Sequence, residues 1–367
     1  MSYKKKILYF MSVDWSWIAQ RPHFMALELQ KEYDVTVLYP RYLYRPWKGQ
    51  QNLKAPEHCH GVPQLPFQER FRVLQRAGDI IFRKYIGDIH QYDIIWLGTP
   101  MFARLIPRDY RGIVVYDYMD DIAALQSSEK VAAYVRRAHK YLLKRADLIT
   151  VTSQYLMDGL DARSARKAHL IRNAFRSGTD CDLSMAPARG RASEGNGKTV
   201  RAGYVGTISG WMDFPLLLWS LEQFPDLEYH FWGPSAVQLP EHERLIFHGV
   251  IEHEKIREAV QDMDCLIMPF QVNDIVLAVD PVKLYEYISF GKNIIAVRYP
   301  EIERFDPYVW FYRDRKEYAQ IIGRLAGHEL QIRYNADQQK QFLEKNSWEE
   351  RGCAVRSLLA GCLKEKT

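Results

Sequence analysis

One feature limits this chain's fold more than any other: short apolar runs alternate with helical patterns, and the alternation runs twice. In the first half, residues 7–13, 35–39, 94–97, 114–116 and 148–151 read as buried strands, with helical patterns over 22–31 and 131–145. A further short strand is expected at 170–171. Strands alternating with helices form a parallel sheet with helices on both faces. Residues 177–199 break the pattern: they are rich in Gly, Ser, Ala and charge and have no periodicity, so they read as a linker. The alternation then restarts. Strands are expected at 202–205, 227–232, 245–247, 265–268 and 293–297, and helices at 214–223, 255–261 and 281–290. A helical stretch over 336–363 ends the chain, and its cluster Ser347-Trp348-Glu349-Glu350-Arg351 is expected to pack back on the first domain.

The expected class is therefore α/β with two Rossmann-like domains. Residues 1–176 form the first, joined by a C-terminal helix at about 346–367; residues 177–199 link it to the second, 200–345. Two such open sheets would face each other across a cleft lined by the carboxyl ends of their strands. With 367 residues and 47% hydrophobic content, the chain can fill two cores. A net charge of +5 fits an anionic small molecule, a membrane surface or nucleic acid, and chooses none of them.

The five cysteines (59, 181, 265, 353 and 362) are odd in number and never spaced C-x-x-C. That argues against a disulfide framework or zinc site and for a reducing cytoplasm. The N-terminal run from Lys4 to Val13 is short, ends at Asp14-Trp15 and lacks a small-x-small site, so a first strand is expected rather than a signal peptide. No run of about 18 apolar residues occurs, so no transmembrane helix is expected.

Residues 280–297 carry the clearest chemistry. Asp280 is expected as an N-cap, Pro281 at the first helical position and Gly291 just past the helix end. Lys283 and Glu286, three apart, share a face. First-turn N–H groups attract anions, so one element offers a phosphate site, a cation and a carboxylate for a sugar diol. On spacing alone, the segment reads rather as a surface helix with an internal Lys–Glu pair. Upstream, Gly203-x-x-Gly206-x-x-x-Gly210 follows a strand, where glycines let backbone N–H groups approach a pyrophosphate. Gly233-Pro234 and His248-Gly249-Val250 also end strands, though His248 equally reads as a turn cap.

In order, Gly203-Tyr-Val-Gly206-Thr207, Phe231-Trp-Gly233-Pro234, His248-Gly249-Val250, Met268-Pro269-Phe270 and Asp280-Pro281-x-Lys283-x-x-Glu286-Tyr-x-x-x-Gly291 resemble the donor-binding domain of GT-B-fold glycosyltransferases, close to family 4. Asp14-Trp15, Gln20-Arg21-Pro22, Asp117-Tyr-Met-Asp120-Asp121 and the run Ala146 to Ser153 resemble teichuronic-acid biosynthesis glycosyltransferases. The stretch around Lys283 is also similar to a xanthan-pathway glucuronosyltransferase. The resemblance implies a transferase moving a sugar, a uronic acid among the candidates, from a UDP-sugar to a glycan or lipid-linked acceptor in bacterial surface-polysaccharide synthesis.

By that resemblance, Lys283 meets the donor phosphates and Glu286 the ribose hydroxyls. Gly206, Thr207, Gly233, Pro234, His248, Gly249 and Val250 line the rest of the donor. Asp14, Trp15 and Arg21 lie in a loop facing the acceptor and phosphates, with Arg21 a phosphate ligand. Family 4 usually has a second glutamate eight residues before the ribose-binding one; Ala278 stands here, which leaves retention or inversion open. Inversion needs a general base, for which Asp120 and Asp121 are the candidates; a helix-cap pair is the other reading of the same two residues. Asp117 reads as structural. Asp180-Cys-Asp182 and Asp262-Met-Asp264 spell D-x-D, but in a linker and at a helix end, so no metal and no cofactor are expected. A same-fold nucleotide-sugar epimerase and a non-catalytic nucleotide-sugar or glycan-binding subunit are the alternatives.

Residues 41–84 carry nine Lys/Arg against three Asp/Glu. Phe67, Phe71, Leu74, Ile81, Phe82 and Tyr85 fall near helical spacing, with Arg70, Arg72, Arg76, Arg83 and Lys84 between them. Such a helix can lie on an anionic membrane at the inner face of the cell, or pack its stripe on its own sheet and leave the arginines to a surface. No nucleic-acid motif occurs, so no nucleic-acid partner is expected.

Overall fold

The computed structural model describes residues 4–42, 54–68, 70–126, 128–175 and 199–366. The chain divides into two compact units: Met1–Asn173 with Trp348–Thr367, and Ala174–Ser347.

The first unit holds a seven-stranded sheet ordered β3-β2-β1-β4-β5-β6-β7. The strands are β1 (Lys6–Phe10), β2 (Asp34–Tyr42), β3 (Cys59–Gln64), β4 (Ile94–Leu97), β5 (Ile113–Tyr118), β6 (Leu148–Val151) and β7 (Ala168–Leu170). Every pairing in it is parallel. β4 and β6 are buried at every residue, as strands covered on both faces must be. The sequence reading missed β3. It carries Gly61 and Pro63 and only two buried apolar residues, Cys59 and Val62, a composition that an edge strand tolerates.

The final helix, Trp348–Lys366, belongs to this unit. Trp348 stacks on Phe24 at 5.2 Å between ring centroids, and Arg356 pairs with Glu28 at 3.1 Å and Glu32 at 2.9 Å. Gly352 is needed at this crossing, because a Cβ there would run into the Glu28 side chain and the Arg356 guanidinium. The continuous helix expected over 336–363 is two: Ala336–Lys345 in the second unit and Trp348–Lys366 in the first.

The second unit holds a six-stranded parallel sheet ordered β10-β9-β8-β11-β12-β13. Its strands are β8 (Val200–Val205), β9 (Leu227–Trp232), β10 (Leu245–Gly249), β11 (Cys265–Met268), β12 (Asn293–Val297) and β13 (Trp310–Tyr312). Three buried hydroxyls tie its core: Tyr229 Oη lies 2.7 Å from both Ser220 Oγ and Tyr318 Oη. Of the linker expected at 177–199, all but Thr199 falls outside the described residues, as do 43–53 of the basic arm.

Strand order reverses between β1 and β4 in one sheet and between β8 and β11 in the other. In open parallel sheets, ligands bind beyond the carboxyl ends of strands at such a reversal.

Candidate functional site

Three neighbouring strands of the second unit end in glycines with positive φ: Gly206 (141°), Gly233 (141°) and Gly249 (77°). Backbone bonds link them in series, with Gly206 N–H donating to Trp232 O at 2.8 Å and Gly233 N–H to Gly249 O at 2.7 Å. The approach is too close for side chains. A Cβ on Gly233 would overlap the Gly206 carbonyl, and a Cβ on Gly206 would overlap Lys283 Cε. Over Gly249 a Cβ meets nothing within 4 Å. The strand ends thus form a flat backbone floor beside the β8–β11 reversal, open above Gly249.

The helix Val282–Ser289 sets Lys283 on this floor. Tyr287 anchors it: its hydroxyl accepts from Val205 N–H at 2.9 Å and sits 3.4 Å from Val205 O. Leu284, Tyr285, Tyr287 and Ile288 are fully buried, so this is not a surface helix. Lys283 has no ion-pair partner among the described residues; its ammonium lies 5.6 Å from the centroid of the Tyr204 ring. Burial pushes the ammonium below the ordinary lysine pKa, with Glu286 pulling the other way. Glu286 does not pair with Lys283 but faces His253, whose Nε2 lies 3.4 Å from Glu286 Oε1. The internal Lys–Glu pair is therefore not formed.

Asp280 corrects the sequence reading. The N-cap is Pro281, and Asp280 lies buried, paired with Arg304 and accepting from Tyr285 Oη at 3.3 Å. A tertiary ion pair claims the carboxylate that local propensity assigned to the cap. Gly291 takes its expected place past the helix end, at φ 66°. Ala278 is buried and ends the short helix Asp274–Ala278.

The other expected donor residues lie along the same edge. Thr207 is exposed, and its carbonyl accepts from Tyr204 Oη at 2.8 Å. Pro234 O accepts from Ile208 N–H at 2.9 Å, joining the β8 and β9 loops. Val250 is exposed. His248 stacks on Trp232 at 4.6 Å, and its Nε2 lies 3.0 Å from His230 Nδ1. Burial and then His230 lower its pKa, which favours the neutral ring. Sequence reasoning missed His253 and the anchoring role of Tyr287; the only signal was their closeness to Gly249 and Glu286.

In the first unit the expected residues separate into structural and available groups. Arg21 is buried and fully engaged. Its Nε lies 3.1 Å from both Asp117 oxygens, Nη2 donates to Asp117 Oδ1 at 2.8 Å, and Nη1 donates to Ile171 O at 2.8 Å. Thr150 Oγ1 adds a bond to Asp117 at 2.7 Å. This corrects the expectation that Arg21 meets phosphate: the guanidinium is spent on tying β5, β6 and the segment after β7 to the first helix. Asp14 is buried and accepts from Ser16 N–H at 2.9 Å and Ser16 Oγ at 2.8 Å. Trp15 is buried against His23, whose Nδ1 accepts from Gln20 N–H and whose Nε2 then donates to Trp15 O at 3.0 Å. These two residues shape the β1 loop from within.

Asp121 is exposed and accepts from Ala123 N–H and Ala124 N–H, both at 3.1 Å, so it works as a cap. Asp120, just past β5, differs. It is half-buried, and its carboxyl has no partner among the described residues. Burial raises its pKa to about 6, against Arg21, with Asp117 and Asp121 adding to the rise. A carboxyl poised near neutral pH suits proton abstraction. Among the described residues, no group of three or more His, Cys, Asp and Glu is placed to hold a metal ion. Asp264 of the second D-x-D accepts from Arg201 N–H at 2.8 Å. No described helix is long and apolar enough to cross a membrane.

No family model matches the chain. A Bacillus subtilis (strain 168) protein named "Putative teichuronic acid biosynthesis glycosyltransferase TuaH" is 27% identical over 266 residues, covering 68% of this chain and 65% of that protein. The match thus spans slightly less than two thirds of the curated relative's length. Sucrose-phosphate synthase (tll1590) from Thermosynechococcus elongatus superposes with a TM-score of 0.75 at 14% identity, covering 99% of this chain and 100% of that one. Anabaena Alr3699/HepE, solved with UDP and glucose, gives 0.65 at 17% identity over 98% and 100% of the two chains. At these identities the likeness is one of fold. With its seven- and six-stranded parallel sheets, the chain has the two-domain GT-B fold of these glycosyltransferases.

Proposed function

We propose that the chain is a glycosyltransferase that takes its sugar from a nucleotide diphosphate, UDP being favoured by the HepE complex with UDP and glucose. One observation carries this reading: Lys283, which has no ion-pair partner among the described residues, lies against the glycine floor at a strand-order reversal. A half-buried ammonium without a carboxylate partner gains most from an anion, and a diphosphate supplies one.

In the proposed reaction, an acceptor hydroxyl attacks the anomeric carbon while the bond from that carbon to the diphosphate oxygen breaks. Asp120 takes the hydroxyl proton. Lys283 meets the negative charge that grows on the leaving diphosphate. Glu286 accepts from the ribose hydroxyls, held in place by His253. Ala278 puts no carboxylate at the position where family 4 usually has one, and the partnerless carboxyl of Asp120 supports inversion. The TuaH likeness supports a surface-polysaccharide acceptor, glycan or lipid-linked, and a uronic-acid donor is the finer form of this reading.

A peripheral membrane role is part of the proposal. On the helix Arg72–Ile86, Phe82 and Ile86 are buried, yet Val73 is 78% and Ile80 69% exposed, with Arg72, Arg76, Arg83 and Lys84 exposed beside them. Just before it, Phe71 is 58% exposed. Exposed apolar residues among arginines suit an anionic bilayer surface.

A panel of UDP- and GDP-sugars, each incubated with and without glycan acceptors, tests the reading. Release of nucleotide diphosphate is expected with at least one donor. Binding without release under every condition would leave a nucleotide-sugar-binding subunit instead. Interconversion of donor sugars without release would mark an epimerase.

A further inference from the structure

The first unit carries a cleft of about 500 Å³ that neither the donor floor nor Asp120 uses. Its walls come from three elements. The helix Arg72–Ile86 contributes Arg83; the 3₁₀ turn Pro100–Leu105 and the loop after it contribute Arg104 and Arg108; the helix Glu129–Arg145 contributes Tyr134, Arg137 and Tyr141. Arg108 lies in the loop that leads into β5, and Arg137 and Tyr141 lie in the half of their helix that runs on toward β6. The cleft therefore opens toward the amino ends of the strands, whereas Asp120 follows a carboxyl end.

Its charge is one-sided. Arg104 is engaged: Nε and Nη2 lie 2.7 Å from Asp79 Oδ1, and Nη1 donates to Tyr134 Oη at 3.4 Å. Arg83, Arg108 and Arg137 are exposed, and none has an ion-pair or hydrogen-bond partner among the described residues. Among the described residues, no carboxylate lines the cleft. Three guanidinium groups without counter-ions around one concavity repel one another, and the low-dielectric walls focus their field. A polyanion relieves that repulsion. Guanidinium forks match phosphate oxygens two at a time, and the tyrosine hydroxyls add donors. The volume exceeds what one inorganic phosphate fills, so a diphosphate or a phosphate with an attached group fits.

We propose that this cleft binds a phosphate-bearing anion, of the phosphomonoester or diphosphate class, at a site separate from the donor floor. The same chemistry is offered by a soluble phosphate and by a phosphorylated lipid headgroup, and the proposal holds whether or not the chain transfers sugar.

The test is calorimetric titration of the full chain with inorganic pyrophosphate, with flotation on phosphatidylcholine vesicles containing phosphatidic acid as a second arm. Four proteins are compared: the natural chain, Arg108→Gln/Arg137→Gln, Lys283→Met, and Arg163→Gln/Arg166→Gln as a surface-charge control. Pyrophosphate held at the cleft is expected to bind at least tenfold more weakly in the first double variant and unchanged in Lys283→Met and the control, whereas pyrophosphate held at the donor floor is weakened in Lys283→Met alone. Vesicle binding lost in that same double variant would assign the site to a lipid phosphate; vesicle binding unaffected there, with pyrophosphate binding lost, would assign it to a soluble ligand. Equal pyrophosphate affinity in the natural chain and Arg108→Gln/Arg137→Gln, or no binding by the natural chain to either probe, overturns the proposal. Circular dichroism and melting of each variant establish that it is folded.

Discussion

Asp120→Asn should make the protein more stable and less active, and its stability effect should depend on pH. The Asp120 carboxyl has a pKa raised from 3.8 to about 6, chiefly by burial, and no partner repays its ionisation. The native state therefore holds the proton more tightly than the unfolded chain. For an acid raised on folding, native stability is lost as pH rises from about 3.8 to about 6 and stays low above that range. A shift of that size costs about 3 kcal/mol at pH 7.5 and about 1 kcal/mol at pH 4.5. Asparagine has the same shape and no charge, so the variant should gain roughly those amounts. Urea unfolding at both pH values measures the gain from the shift in midpoint at unchanged slope. In the same variant, transfer should fall by roughly 10²- to 10⁴-fold if Asp120 is the base, and in the natural protein kcat/KM should rise through a pKa of about 6. A loss of stability at pH 7.5, or a gain that does not shrink at pH 4.5, would refute the reasoning about burial. A stabilised variant with full activity would keep that reasoning and remove Asp120 from the chemistry.

Three further outcomes follow from the same geometry. Arg21→Met leaves the buried Asp117 carboxylate without its guanidinium and should cost about 3–5 kcal/mol in urea unfolding, with UDP affinity unchanged. Tyr287→Phe leaves Val205 N–H without an acceptor; it should cost about 1–3 kcal/mol and weaken UDP binding, because the β8 loop loses its anchor to the Lys283 helix. UDP affinity should fall as pH rises, beginning below the range where an ordinary lysine loses its proton, since burial lowers the Lys283 ammonium; calorimetry across alkaline pH reads this directly.

The fold was legible in the sequence where a strand is mostly apolar or alternates apolar with polar residues. β4, β6, β9, β11 and β12 span the same residues that the sequence marks as strands. β3 and β13 were missed because an edge strand needs few apolar residues, and Trp310–Tyr312 is only three residues long. The site was partly legible. The spacing of Lys283 and Glu286 placed both on one helix, but only the folded chain shows the lysine stem lying across Gly206 and the glutamate turned to His253. Arg21 and Asp117 are 96 residues apart, so nothing local marks them as a pair. The same holds for Asp280 and Arg304, whose pairing overrode a sound local cap rule. On the basic helix, the period was right but the inside and outside were divided differently: Phe82 faces the core while Phe71 does not.

The measurement that bears most directly on the donor site is calorimetric titration of UDP into the natural chain and into Lys283→Met, which keeps the stem over Gly206 and removes the charge. The natural chain should bind UDP, and the variant, shown to be folded by its melting curve, should bind at least about tenfold more weakly, roughly 1.4 kcal/mol for one lost phosphate contact. Equal affinity in the two folded proteins would contradict the placement of the diphosphate on Lys283.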